Sequence, residues 1–298
     1  MIEAINLTKK FDKYAAVNNV NFKIEQGTIY GLVGSNGSGK STLLRLISGV
    51  YTQDEGKIIV DNMRVFDNPE LKSKICYLGD TPYFIHMSNL NEMERFYISM
   101  FPSFSKERFE SLLNVFPLDR TKRISTMSKG MARQAALILS LSVMPKYLLL
   151  DEAFDGLDPV MRKVLKSILS DGISDGMTAI IASHNLRDLD ELCDSVGVLH
   201  KGSLLLSDGI DQLKNKLHKV HIVFKDVPDM SVFNELDVLK IEKTGSLYRL
   251  VIRGDESKIS SFLNFLPTSY AEILPPTLEE IFMYELEAKG YEAENLLK

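Results

Sequence analysis

The residues from Gly34 to Thr42 read GSNGSGKST and combine flexible glycines, small hydroxyl side chains and one lysine. Gly34, Gly39, Lys40 and Ser41 satisfy the spacing G-x-x-x-x-G-K-[ST]. Glycines let the backbone curl until several N–H groups point at one oxyanion. We expect Lys40 to bridge the β- and γ-phosphates of a nucleotide and Ser41 to offer its hydroxyl to Mg²⁺. The predicted phosphate-binding loop is Gly34, Ser35, Asn36, Gly37, Ser38, Gly39, Lys40, Ser41 and Thr42.

A first apolar segment, residues 28–33, predicts a short buried strand before the glycine loop, and two acidic residues stand at the carboxyl end of a second apolar segment. Residues 147–150 predict a strand buried in a parallel sheet, and Asp151 and Glu152 follow it. Asp151 is then placed to hold Mg²⁺ through water, and Glu152 to polarise an attacking water as a general base. A third apolar strand, residues 178–183, ends at His184. Because ligands of open α/β sheets gather at strand ends, this histidine is either structural or a γ-phosphate contact that orients the water.

A helix start and a turn lie on either side of these acids. Residues 132–141 are rich in alanine and leucine and predict a helix, with Ser128 as its N-cap. Ser128 and Gly130 lie at the N-terminus of this helix, which is either an ordinary capped end or a second phosphate-binding site. The later turn that contains Asp158 is either a simple proline-bounded turn or a contact to a second subunit.

The composition limits the class of protein. With 298 residues, 45% hydrophobic and 25% charged, the chain is long enough for about two globular domains. Its net charge of −5 is unlike the basic surface of proteins that hold nucleic acid. Cys76 and Cys193 are far apart and lack zinc-site spacing, which fits a reducing cytoplasm. No segment predicts a signal peptide or a membrane span, so we expect a cytoplasmic protein that does not itself cross the membrane.

Together these segments resemble the ATP-binding cassette of ABC transporters over about residues 1–210. The resemblance implies an α/β fold: a P-loop NTPase cassette with a RecA-like core, an antiparallel β subdomain and a helical signature subdomain at about residues 82–135. It rests on five motifs in order, namely Gly34–Thr42 (Walker A), Met127–Met131 (signature), Leu148–Glu152 (Walker B), Gly156–Asp158 (D-loop) and His184 (switch histidine).

The resemblance also implies how the motifs work. Two subunits form a head-to-tail dimer with ATP and Mg²⁺ between the Walker A of one subunit and the signature of the other. Ser128 and Gly130 then touch phosphate, and Asp158 lies beside the second subunit. The residues for hydrolysis all match the family, so an active ATPase is expected: Lys40, Asp151, Glu152 and His184.

Three positions are assigned from the resemblance with a departure or an alternative. Phe11 falls where the family stacks an aromatic ring on adenine, with Tyr14 as the alternative. The Q-loop glutamine of the family falls on Asp80, which offers an oxygen to Mg²⁺ but adds a negative charge. The signature reads Met-Ser-Lys-Gly-Met in place of Leu-Ser-Gly-Gly-Gln, and Lys129 either adds a cation near the nucleotide or points to solvent. The metal ligands implied are Ser41, Asp80 and Asp151.

The segment between Asp80 and Ser128 predicts a partner surface. Residues 91–100 and 106–116 are patterned like amphipathic helices. The resemblance implies that this helical subdomain presents a groove to a coupling helix of an integral-membrane permease. Four aromatic residues belong either to that surface or, more often for such residues, to the core: Tyr83, Phe84, Phe96 and Tyr97.

Residues 211–298 predict a small α+β domain. Thr277 and Glu280 form a capping box that opens a helix through about residue 289, with Gly290 as its stop. The final segment resembles the tails of ABC-2 type exporter ATPases, including the Ytr-like and phenol-soluble modulin exporter ATPases. Alternating or β-branched segments predict strands at residues 220–224, 238–242, 247–253 and 270–274, with a helix at 258–266.

Three functions are weighed. The resemblance favours the ATP-hydrolysing subunit of an ABC exporter, paired with itself or with a related ATPase and peripheral on the inner face of the cell membrane. The first alternative is a soluble cassette ATPase acting on nucleic acid or ribosomes, against which the acidic charge and single cassette weigh. The second is a regulatory cassette that binds ATP without hydrolysing it. Glu152 and His184 weigh against this second alternative, whereas Asp80 keeps it open.

Overall fold

The computed structural model describes residues 1–226 and 230–288. The chain divides into two compact units, Met1–Ser207 and Asp208–Lys298. Within the described residues, none of the helices has both the length and the apolar character required to span a bilayer.

The first unit contains two sheets and a group of helices. Its strands are β1 Ile2–Phe11, β2 Tyr14–Ile24, β3 Ile29–Val33, β4 Glu55–Val60, β5 Met63–Arg64, β6 Ile75–Leu78, β7 Tyr147–Asp151, β8 Thr178–Ser183, β9 Ser195–His200 and β10 Ser203–Gly209, the last of which ends just past the unit boundary at Ser207. Its α-helices are α1 Lys40–Ile47, α2 Pro69–Lys72, α3 Leu90–Met100, α4 Lys106–Val115, α5 Lys129–Ser142, α6 Pro159–Ser174 and α7 Leu186–Asp190.

The central sheet has six strands in the order β10-β9-β3-β8-β7-β6. β3, β7 and β8 are buried along their whole length, as their continuous apolar sequences require for parallel strands covered on both faces. The parallel register aligns Val33 with Ser183 and Asp151 with Ala182. The glycine loop, Glu152 and His184 therefore start from neighbouring strand ends at one edge of the sheet.

A second sheet of four strands, in the order β2-β1-β4-β5, packs its apolar side chains against α1 and the central strands. Its pairs β2–β1, β1–β4 and β4–β5 are all antiparallel. This sheet carries Phe11 and Tyr14 at the turn between its first two strands. It is the antiparallel β part of the predicted cassette.

The amphipathic helices predicted between Asp80 and Ser128 are confirmed as α3 and α4. α3 begins one residue earlier than predicted, because Asn89 and Glu92 form a capping box at its start. The four aromatic side chains of this region differ in exposure, and the prediction that they belong to the core is wrong for two of them. Tyr83 is 81% and Phe96 38% exposed, whereas Phe84 and Tyr97 are half-buried.

The second unit contains a four-stranded antiparallel sheet in the order β12-β13-β11-β14. The predicted Thr277–Glu280 capping box is confirmed, since the Glu280 carboxylate accepts from the Thr277 N–H and the Thr277 hydroxyl from the Glu280 N–H. The predicted stop at Gly290 lies outside the described residues. The elements are α8 Ile210–Lys214, β11 Leu217–Phe224, β12 Asp237–Thr244, β13 Leu247–Arg253, α9 Glu256–Phe265, β14 Thr268–Leu274 and α10 Leu278–Ala288.

The predicted elements of this unit are confirmed, with shifts at their ends. α9 begins two residues earlier than predicted, because Asp255 caps it through the N–H groups of Ser257 and Lys258. β14 begins at Thr268 rather than at Tyr270. One face of the sheet packs on α9 in an apolar core that includes Val220, Ile222, Leu250, Ile252 and Ile259.

Candidate functional site

The glycine loop joins β3 to α1 and depends on glycine at two close approaches. Gly39 has a φ of 110° and immediately precedes Lys40, the first residue of α1. A Cβ at Gly39 would overlap the carbonyl oxygen of Ala16, and one at Gly34 would overlap that of Leu199. The neighbouring backbone therefore leaves no room for a side chain at either position, and the positive φ of Gly39 adds to this requirement for glycine. The result is a helix N-terminus that opens directly onto the loop.

Lys40 lies inside this loop and is only 6% exposed. Its Nζ donates to the carbonyl oxygens of Gly34, at 2.6 Å, and Ser35, at 3.3 Å. The same nitrogen lies 3.3 Å from Glu152 Oε1. The hydroxyl of Ser38 is buried in the same loop without a hydrogen-bond partner among the described residues. A buried cation and a buried unpaired hydroxyl together form a site suited to a phosphate oxygen.

Glu152 lies between this lysine and His184. Its Oε2 is 2.9 Å from His184 Nδ1 and accepts from the His184 backbone N–H at 3.3 Å. The side chain is 11% exposed, and its residue adopts a φ of 50°, which is uncommon outside glycine. The sheet thus brings together three of the four residues predicted to act in hydrolysis, namely Lys40, Glu152 and His184. Sequence reasoning missed Asp155, whose carboxylate joins Glu152 and His184 in a cluster with ligand atoms within 4.8 Å of one another.

Asp151 is the most buried carboxylate at this edge, with 1% of the residue exposed. Its Oδ2 accepts from the Tyr77 hydroxyl at 3.3 Å, whereas its buried Oδ1 has no partner among the described residues. Burial raises the pKa of Asp151, a hydrogen bond from Ser41 opposes that rise, and the negative charge of Glu152 adds to it. An unpaired, desolvated carboxylate oxygen next to a serine hydroxyl fits a divalent cation with oxygen ligands.

A cavity of about 330 Å³ extends from the loop to the first antiparallel strands. Phe11, Tyr14, Asp80 and Glu152 are among the residues that line it. Phe11 is 42% exposed and packs edge-on against Tyr51, with ring centroids 5.5 Å apart. The Tyr14 hydroxyl donates to the Gly37 carbonyl oxygen at 3.2 Å. Both aromatic residues therefore line the cavity, and the choice between them for adenine stacking stays open.

Asp80 is held by a residue that the sequence reasoning missed. The guanidinium of Arg133, on α5, donates to the carbonyl oxygens of Gly79, at 3.0 Å, and Asp80. It also lies 3.2 Å from Asp80 Oδ1. Arg133 is 2% exposed, whereas the Asp80 side chain is 57% exposed. An arginine beside the alanine- and leucine-rich run of α5 was the one available signal, because a buried arginine requires a nearby acceptor.

A second cavity, of about 430 Å³, lies on the other side of Asp80. It is lined by residues 80–87 together with Ile124 and the start of α5, including Lys129 and Arg133. Its rim carries the exposed apolar side chains of Ile85 and Met87. Lys129 therefore lines this groove, not the cavity at the glycine loop, in the part of the chain that the structure describes.

The signature and D-loop residues lie close to each other in the fold. Ser128 caps α5 by accepting from the Met131 N–H at 3.2 Å, as predicted, and Asp158 caps α6 through the N–H groups of its first turn. A Cβ on Gly130 would lie 2.8 Å from the carbonyl oxygen of Gly156. Ser128, Gly130 and Asp158 are not among the described residues that line the cavity at the glycine loop.

Comparisons with known proteins identify homologues of this chain. A family model described as "ABC transporter" matches residues 17–155. The chain is 30% identical to the ABC transporter ATP-binding protein YtrB of Bacillus subtilis (strain 168), over 97% of this chain and 99% of YtrB. It is 32% identical to the bacitracin transport ATP-binding protein BcrA of Enterococcus faecalis, over 74% of this chain and 72% of BcrA.

A solved structure confirms the predicted fold class. The ATP-binding subunit of an ABC transporter is similar to this chain with a TM-score of 0.67 and 25% sequence identity. The similarity covers 72% of this chain and 92% of that one.

Proposed function

The chain belongs to the ATP-binding subunits of ABC transporters, and on that premise we propose that it hydrolyses ATP to drive a separate membrane permease. The observation that carries the proposal is the position of Glu152 at the glycine loop. Its carboxylate lies 3.3 Å from Lys40 Nζ and 2.9 Å from His184 Nδ1. A base held next to a phosphate-binding lysine and a second polar group suits in-line attack of water on a γ-phosphate.

The roles of the chain's own residues follow from this geometry. We propose that Lys40 and the loop N–H groups bind the β- and γ-phosphates and that Glu152 accepts the proton of the attacking water. His184 orients Glu152 from the other side. Phe11, with Tyr14 as the alternative, stacks on the adenine. The proposed loop contacts are Gly34, Ser35, Asn36, Gly37, Ser38, Gly39, Lys40, Ser41 and Thr42.

We also propose a Mg²⁺ site beside the loop. The unpaired buried oxygen of Asp151 and its neighbour Ser41 support it, because their oxygens suit this cation. When bound, Mg²⁺ supplies positive charge that offsets the charge of the phosphates. Asp80, whose carboxylate is exposed, lines the cavity at the glycine loop and is the third proposed ligand.

We propose that ATP joins two subunits. Ser128 and Gly130 lie at a helix N-terminus outside the cavity that holds Lys40, so one subunit supplies them to the loop of another. Asp158 lies in the neighbouring turn, since Gly130 packs against Gly156 two residues earlier. The partner ATPase is a second copy or a related chain.

The membrane partner is proposed to dock in the groove lined by residues 80–87. The exposed apolar rim at Ile85 and Met87 supports this docking, since a helix of the permease would cover it. The subunit then works at the inner face of the membrane, in a cassette of residues 1–210 followed by a domain of residues 211–298. The names of YtrB and BcrA favour transport, and we propose export of the ABC-2 type.

The test is ATP turnover by the purified chain, alone and with its permease. Glu152→Gln is expected to bind ATP and to form a stable dimer while hydrolysis falls at least about 100-fold, as for loss of a general base. Glu191→Gln is the matched control, because Glu191 is exposed and pairs with Lys166 away from the loop. Normal turnover by the Glu152 variant contradicts the assignment of the base. Purification of the Glu152 variant from membranes with ATP identifies the permease.

A further inference from the structure

The second unit has one charged sheet face that none of the proposed roles uses. In the register of the sheet, Arg249 on β13 lies opposite His221 on β11 and Glu242 on β12. Val251 lies opposite Lys219 and Lys240 in the neighbouring row. The side chains of these rows share one face, because successive pairs are two residues apart. The opposite face is the apolar one that packs on α9.

This charged face encloses a cavity together with α10. The cavity has a volume of about 300 Å³ and is lined within the second unit by both rows and by Glu280 and Tyr284 of the helix. Lys219 Nζ pairs with Glu280 at 2.6 Å, and Lys240 Nζ pairs with Glu242 at 2.9 Å. The volume is that of a small-molecule site at the lower end of the usual range.

Two groups in the cavity are not satisfied by these pairs. His221 Nε2 is buried and has no hydrogen-bond partner among the described residues. The guanidinium of Arg249 donates no hydrogen bond to any described residue, although Glu242 lies near enough to interact with it through charge. With three cationic side chains and two carboxylates, the cavity has one positive charge in excess. Buried polar groups in folded proteins are nearly always hydrogen-bonded, so the buried His221 Nε2 indicates a missing partner, and the exposed Arg249 lies directly opposite His221 in the register of the sheet.

We propose that this cavity binds a small oxyanion, of the phosphate class, between Arg249 and His221. The planar fork of an arginine binds two oxygens of such an anion at once, and an imidazole N–H donates to a third. Lys219 and Lys240 line the same cavity, where their carboxylate partners Glu280 and Glu242 hold them in place. The site is formed by residues of the second unit, whereas the glycine loop belongs to the first.

The test is a titration of the full chain with inorganic phosphate at constant ionic strength. Mg²⁺ and a non-hydrolysable ATP analogue are present, so that the glycine loop is already filled. Calorimetry gives the affinity, and imidazole ¹H–¹⁵N spectra follow His221, which is one of five histidines and is assigned with His221→Gln. Arg249→Gln is expected to weaken binding about 10-fold or more, as for loss of a charge-assisted hydrogen bond. The control is Lys258→Gln, an exposed cation on α9 outside the cavity.

The outcomes separate a free anion from a lipid headgroup. Saturable binding that shifts His221 and depends on Arg249 but not on Lys258 supports a free phosphate-class ligand. If phosphate fails but phosphatidylglycerol vesicles sediment the chain in an Arg249-dependent manner, the same group is supplied by a lipid. No response in either arm, or equal weakening in Arg249→Gln and Lys258→Gln, overturns the proposal. Circular dichroism verifies that the exposed substitutions leave the fold intact.

Discussion

Replacing Arg133 by methionine is expected to lower the free energy of unfolding of the first unit by about 2–3 kcal/mol. The arginine is 2% exposed, and its guanidinium donates to the carbonyl oxygens of Gly79 and Asp80. Methionine replaces the aliphatic part of the side chain but leaves these oxygens without their donors, at about 1–3 kcal/mol for each group that water does not reach. Because methionine carries no charge to desolvate, part of that loss is offset.

The carboxylate of Asp80 contributes far less than the two carbonyl groups. Its side chain is 57% exposed, and its Oδ1 lies 3.2 Å from Arg133 Nη2. Solvent screens an ion pair of this kind, so Asp80→Asn is expected to cost under about 1 kcal/mol. Arg133 therefore acts mainly as a donor to the backbone before α3 and only secondarily as a counter-ion.

Urea unfolding followed by far-UV circular dichroism measures both variants, and it suits a chain without tryptophan. A double-mutant cycle between R133M and D80N isolates the coupling of the two charges, expected below about 1 kcal/mol. The control is Arg95→Met on the exposed face of α3, with an expected change near zero. A coupling above about 2 kcal/mol would refute the reasoning, because the pair would then behave as a fully buried one.

Three further substitutions test close packing and charge. Gly130→Ala places a Cβ 2.8 Å from the Gly156 carbonyl oxygen and is expected to lower the midpoint of thermal unfolding by several degrees; an unchanged midpoint contradicts the close approach. Gly39→Ala combines a φ of 110° with overlap onto β2, so binding of a fluorescent ATP analogue is expected to be lost in a protein that circular dichroism shows to be folded. Burial works to raise the pKa of Asp61, but hydrogen bonds from Lys146, a tyrosine hydroxyl and the terminal amine lower it to about 2. The depressed pKa stabilises the fold above the unfolded value of about 3.9, and this contribution is lost as pH falls toward about 2. Acid titration of Asp61→Asn is expected to lack that loss, and an identical acid transition would contradict it.

Local sequence patterns predicted most of the fold, because the chemistry they encode is local. The glycine loop requires glycine at a positive φ next to a helix start, and the structure has both at Gly39. Continuous apolar runs predicted β3 and β7 as buried parallel strands, since only such strands are covered on both faces. The capping box at Thr277 was equally readable, because its two partners are three residues apart.

Contacts between distant segments were not readable in the same way. Lys40 and Glu152 lie close together because only one strand, β8, lies between β3 and β7 in the sheet. The sequence does not state this order of strands. The ion pair between Asp80 and Arg133 joins a loop to a helix that is distant in the sequence. The row that places His221 beside Arg249 depends on strand register, and a shift of one residue would have turned these side chains to the apolar face.

Arg133 also accounts for how an acid occupies the position where the resemblance places a neutral glutamine. A lone carboxylate at Asp80 would add negative charge to a cavity that already contains Glu152 and has Asp151 beside it. The guanidinium 3.2 Å away brings an equal positive charge, so the pair as a whole is neutral. The aspartate at the Q-loop position and Arg133 thus form one ion pair. Because the Asp80 side chain stays 57% exposed, its oxygens remain accessible from the cavity while its backbone is fixed by α5.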